Sequence, residues 1–131
     1  MIPGNRLTKL WLILSLWGPV IAQMGLIFYF SSRPAGSIVL EEFPVSAPLG
    51  HLFGYFLLSV FLYRAFNLGS FDWNGKAAGS ALLVGFLYAL SDEIHQLFVP
   101  GRQAAIIDVV LDTVGLLIFL ILIRIRTIIK R

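Results

Sequence analysis

An all-α, polytopic membrane protein built as a four-transmembrane-helix bundle is the fold class the sequence predicts, and three observations predict it. Of 131 residues, 58% are hydrophobic and only 13% charged, against about 45–50% and about 25% in soluble domains. Four apolar runs divide the chain, each near the roughly 20 residues that cross a hydrocarbon core. Lysine and arginine are distributed unequally between the two sides that these runs define.

The predicted helices cover residues 11–30, 49–66, 77–98 and 104–123, within one domain spanning 10–125. The first follows Arg6 and Lys9 as a signal peptide would, but its apolar run exceeds the about 7–15 residues of a signal core, so it is read as a retained span. SSRPAGSIVLEEFPVSAP and NLGSFDWNGK, the next two connections, carry the Gly, Pro, Asn and Ser of turns, and VPGRQ is short enough for a tight hairpin. The chain contains no cysteine, which excludes disulfides, thiolate nucleophiles and cysteine metal sites.

With four spans, Arg6, Lys9, Arg64, Lys76, Arg124, Arg126, Lys130 and Arg131 share one side, and only Arg33 and Arg102 the other. Positive charge favours the cytoplasmic face, so both termini are expected in the cytoplasm. The net charge of +3 is thereby an orientation signal. Basic residues are not interleaved with stacking aromatics, and no nucleic-acid partner is expected.

The acids run the opposite way. Glu41, Glu42, Asp92, Glu93, Asp108 and Asp112 belong to the outer loops or outer helix halves, and Asp72 alone is on the inner side. By helical rise, Asp92 lies about 9 Å below the outer end of the third helix, and Asp108 and Asp112 about 6 and about 12 Å below that of the fourth. Tyr88, Asp92, His95 and Gln96 share one stripe of the third helix; Asp108, Asp112 and Gly115 share one of the fourth. The two stripes are expected to face each other, with Gly115 allowing close packing. Glu93, about 100° from Asp92, points toward another helix or pairs with Arg102. Gln23, His51 and Tyr55 stand at the same depth on the first two helices.

An ionised side chain in hydrocarbon costs about 2.5–3.5 kcal/mol on insertion scales, so a cluster of them normally faces protein or a cavity and marks function. As an enzyme, the chain would use Asp92 or Glu93 as general acid or base, His51 or His95 as a second proton carrier and Arg102 as an electrostatic clamp. Arg33, Tyr55, Gln96, Asp108 and Asp112 complete the substrate-binding set. The same residues serve a non-catalytic binding or transport protein whose acids hold a cationic or amphipathic ligand, or a structural partner subunit bound by hydrogen-bonded helices. The ligand types present suit a divalent metal, although their spacing matches no metal motif. A homodimer could complete the cavity.

SSRP after the first helix, His51 with Tyr55 in the second, and Asp92, Glu93, Gln96, Pro100, Arg102 and Asp108 across the last two resemble the VanZ-like family of small bacterial membrane proteins. The chain departs from that pattern at Asp112, where an Asn-like residue is expected, and at APLG before His51, where a Lys-like residue is expected. The resemblance implies a helical membrane domain, a cell-envelope role on a lipid or lipid-linked substrate, and an association with resistance to the glycopeptide teicoplanin.

Overall fold

The structure is a computed structural model that describes residues 5–34 and 47–130. Glu41 and Glu42 lie outside the described residues. Four helices are present among those described: α1 (Arg6–Ser31), α2 (Ala47–Phe66), α3 (Gly75–Gln96) and α4 (Ile106–Ile129). All four are long and apolar enough to cross a membrane, and the chain is a multi-pass membrane protein.

The helix limits follow from local capping. Asn5 accepts from the Thr8 amide at 3.0 Å, which starts α1 ahead of its apolar run at Arg6. Asn74 accepts from the amides of Lys76 and Ala77 and starts α3 at Gly75, two residues before the hydrophobic pattern. Such side-chain acceptors satisfy amides that a helix leaves unpaired in its first turn. α3 stops at Gln96 rather than Phe98, where the Phe98 and Val99 amides switch to tighter bonds with the His95 and Gln96 carbonyls, and Gly101 at φ 75° continues the turn. α4 begins at Ile106 after Ala105, whose side chain caps nothing.

Packing is led by α2 against α4, while α1 rests mainly on α2 and touches α3 lightly. One face of α3 is made of small residues, Ala77, Ala81, Gly85 and Ala89, all buried. In lipid, where apolar side chains gain little from leaving the solvent, such faces let helices approach closely. A Cβ built on Gly85 would lie 2.5 Å from Leu116 Cδ2, and one on Gly115 would lie 2.4 Å from the Leu52 carbonyl oxygen. Gly115 therefore serves the α2–α4 contact. The expectation that it joins α4 to α3 is corrected, because helical spacing selects a face without selecting the neighbour.

Alternating helix directions bring the Ser31 end of α1, the start of α2, the Gln96 end of α3 and the start of α4 to one end of the bundle. The opposite end is closed by the 67–74 connection, where Leu68 and Gly69 adopt positive φ. There Asn67 donates to the Ser70 and Asp72 carbonyls, and the Tyr63 hydroxyl accepts from the Asn74 amide at 2.9 Å. Arg64 reaches back to the Ser15 carbonyl at 2.8 Å. Polar groups thus finish the bundle on both sides of a core formed by Leu58, Leu62, Tyr63 and Leu116.

Candidate functional site

His51 is the centre of the polar end. It lies just over one turn into α2, where the close approach at Gly115 brings α4 alongside. Its Nδ1 is 2.9 Å from Asp112 Oδ1, and its Nε2 is 4.0 Å from Asp108 Oδ2. Asp108 and Asp112, one helical turn apart, thus bracket one imidazole from α4. Asp112 has no exposure at all, so its contact with His51 is shielded from water and from competing donors. The Asp108–Asp112 stripe makes its direct side-chain contacts with His51 on α2, while Asp92 on α3 stays close enough to Asp112 for their charges to interact.

Glu93 and Arg102 do not pair with each other. Glu93 Oε2 accepts from the Ala105 amide at 2.8 Å, so α3 supplies the N-terminal cap that Ala105 cannot. A carboxylate there also meets the positive end of the α4 dipole. Arg102 donates through Nε to the Arg33 carbonyl at 3.1 Å and through Nη2 to the Phe30 carbonyl at 3.2 Å. Both carbonyls lie at the end of α1, where the Phe30 oxygen also accepts from the Arg33 amide at 3.2 Å, and the short hairpin that reaches them turns at Gly101, whose φ is positive. Both residues reach helix ends, which attract charges of their sign more directly than they attract each other.

His95 turns toward α1 as well. Its ring stacks on Phe28 with centroids 4.6 Å apart, and Nε2 lies 2.9 Å from the Ser32 hydroxyl. The Arg33 guanidinium sits 4.1 Å from the Tyr29 ring centroid, a cation–π contact. Tyr88, on the same α3 stripe, donates to the Met24 carbonyl at 2.6 Å. The stripe therefore does two jobs: its edges hold α1, and Asp92 and Gln96 turn to a cavity.

That cavity is a cleft of about 890 Å³ between α1 and α2, closed at its inner end by α3. Its walls are mostly apolar, and Leu26, Leu49 and Phe53 among them are exposed, so it opens toward the bilayer. The polar lining collects at one end, in Ser31, His51, Tyr55, Asp92, Gln96 and Arg102. Gln23, also lining it, donates to the Gly54 carbonyl at 2.9 Å and joins the two walls. Seven of the predicted residues are brought together around this end: His51, Tyr55, Asp92, Gln96 and Arg102 line the cleft, and Asp108 and Asp112 stand behind His51.

Ser31 and Ser32 escaped the sequence reading as site residues, although SSRP was singled out as a segment. Ser31 stands beside the Asp92 carboxylate. A lone serine at the end of an apolar run carries no spacing signal, so only the assembled bundle shows its place. Among the described residues, no group of three or more His, Asp or Glu side chains is placed to hold a metal ion. The arrangement sets an imidazole between two carboxylates beside a mostly apolar cleft, a setting in which an imidazole can take or give a proton.

No curated protein and no solved structure matches the chain. The VanZ/LLP1 family profile matches residues 16–128, a stretch that includes every side chain placed at this polar end, and the chain belongs to the VanZ/LLP1 family.

Proposed function

We propose that the chain binds a lipid or lipid-linked cell-envelope molecule in the α1–α2 cleft and presents its head to His51 and Asp92. The carrying observation is the cleft itself, whose apolar walls open toward the bilayer while its polar residues gather at one end. An acyl chain suits such walls and a polar head suits that end; ligand sites commonly combine a mostly apolar lining with a few placed polar groups. Lysine and arginine counts favour both termini in the cytoplasm of a bacterial cell, which puts the polar end at the outer leaflet of the inner membrane. Family membership supports a cell-envelope role, and the resemblance to VanZ-like proteins adds an expected rise in teicoplanin tolerance on expression.

The test is purification in native-lipid discs with mass spectrometry of what remains bound. An amphipathic lipid or envelope precursor held in stoichiometric amount, and lost when bulky Trp replaces Gly54 on the cleft wall, is the expected result. Retention of bulk lipid alone, unchanged by Gly54→Trp, would remove the proposal.

The His51–Asp112 contact favours a second reading, in which the bound molecule is also transformed. His51 then serves as the proton carrier, Asp112 orients it, and Asp92 faces the head. His51→Gln would abolish turnover of the co-purifying molecule while leaving it bound; turnover retained in that variant would remove His51 as the proton carrier, and no turnover by the native chain would leave only binding.

A further inference from the structure

A second cavity, of about 380 Å³, runs between α3 and α4 at the end of the bundle away from His51, with Ala78, Gly79 and Leu82 on one wall and Leu117, Ile121 and Arg124 on the other. A Cβ on Gly75 or Gly79 would meet nothing within 4 Å. These two glycines, one turn apart, leave open the space that side chains would fill. Leu117, Ile121 and Ile125 are exposed along it, so the groove opens sideways to acyl chains. From Gly75 to Leu82 it runs about 10 Å along α3.

Its polar end is cationic. Arg124 is exposed there, with its guanidinium 5.0 Å from the Trp73 ring centroid, a cation–π contact that holds the charge beside the groove and leaves its N–H groups to donate. Among the described residues the ion pairs are those of His51, so Arg124 has no acidic partner. Lys76, Arg126 and Lys130 are exposed at the same end, and Asp72 is the one acidic side chain there among the described residues. A guanidinium suits a phosphate, and basic pockets between transmembrane helices take anionic lipid heads. A second copy of the chain fits less well. Inserted in the same direction, it would bring its own Arg124 to the same depth and set like charges together.

From the open groove and the unpaired arginine at its end, we propose that α3 and α4 form a binding site for an anionic phospholipid, with an acyl chain along Gly75 and Gly79 and the phosphate on Arg124. The site shares no residue with the α1–α2 cleft and stands whether or not that cleft binds a lipid. Arg124 alone should favour an anionic head about fivefold, the contribution of one basic residue near a charged membrane surface.

The test is quenching of tryptophan by phospholipids brominated near the top of the acyl chain. The chain has three tryptophans. Trp11→Phe with Trp17→Phe leaves Trp73 as the reporter of the groove, and Trp17→Phe with Trp73→Phe leaves Trp11, exposed on α1, as the reporter of surrounding lipid. In vesicles of phosphatidylglycerol and phosphatidylcholine, with one or the other brominated, Trp73 should show a preference for phosphatidylglycerol about fivefold above that at Trp11. Arg124→Gln should bring Trp73 down to the Trp11 value. Equal preference at Trp73 and Trp11 would mean diffuse attraction to a basic end and overturn the site, as would a preference at Trp73 unchanged by Arg124→Gln. Trp73 quenched by neither lipid would give the groove to a second copy and overturn it too. The comparison of Trp73 with Trp11 leaves Arg124 in place, so it decides the matter should Arg124→Gln fail to fold.

Discussion

Gly115→Ala tests whether close approach of α2 and α4 creates the site. The added methyl would start 2.4 Å from the Leu52 carbonyl oxygen and 3.1 Å from the Phe56 amide nitrogen. Both are backbone atoms, so no rotamer change relieves the clash. Bringing the shorter contact out to 3.0 Å requires the helices to part by at least 0.6 Å. A radial gap of about 0.5–1 Å already forfeits a quarter to a half of a dispersion contact, and overpacking of a tight core costs about 1–3 kcal/mol. Asp112 lies less than one turn from Gly115 on the same face, so the same parting stretches its 2.9 Å contact with His51 to about 3.5 Å, the outer limit of a hydrogen bond. Unfolding in mixed micelles should show a loss of about 1–3 kcal/mol, and the His51 ring nitrogens should shift in NMR spectra. Gly25→Ala is the control, since its methyl meets nothing within 4 Å; Gly85→Ala should fall between, because the atoms it meets are the mobile end of Leu116. Gly115→Ala with native stability and an unmoved His51 signal would refute the reasoning.

Further outcomes follow from the contacts at the helix ends. Glu93→Ala should cost about 0.5–2 kcal/mol, as loss of an N-cap does, and speed hydrogen exchange at the Ala105 amide; unchanged exchange there would count against the cap. Arg102→Lys should loosen the hairpin from α1 by about 0.5–1.5 kcal/mol, because one ammonium does not reproduce the planar fork that reaches both the Phe30 and Arg33 carbonyls, and a spin-label distance between Pro34 and Gln103 should broaden. Ser46→Cys and Ser70→Cys, in a chain without native cysteine, should react with impermeant reagents from opposite sides of the membrane; reaction from one side would overturn the four-span topology.

The elements and their order were legible in the sequence because each span is a long apolar run, a signal that depends only on length and composition. The grouping of acids by depth was legible for a similar reason, since rise per residue is constant. Partners were not. The stripe through Asp108, Asp112 and Gly115 was readable as a stripe, but whether it met α2 or α3 depended on which backbone came near a residue without a side chain. Glu93 and Arg102 were readable as charges and misleading as a pair, because the helix termini that attract them are partial charges carried by the backbone and absent from any count of side chains. Asn5 and Asn74, by contrast, were available as capping signals just before their helices, and they explain the earlier starts of α1 and α3.

The division of labour between helix pairs also bears on how the family diversifies. The His51–Asp112 contact belongs to α2 and α4, whereas the width of the cleft is set by α1, which is held through separate rungs: Gln23 to Gly54, Tyr88 to Met24, Ser32 to His95 and Arg102 to the end of the helix. Drift in the α1 side chains between those rungs can therefore widen, narrow or lengthen the groove while leaving the His51–Asp112 contact unaltered. The shape of the groove and the make-up of its polar end become separately inheritable traits.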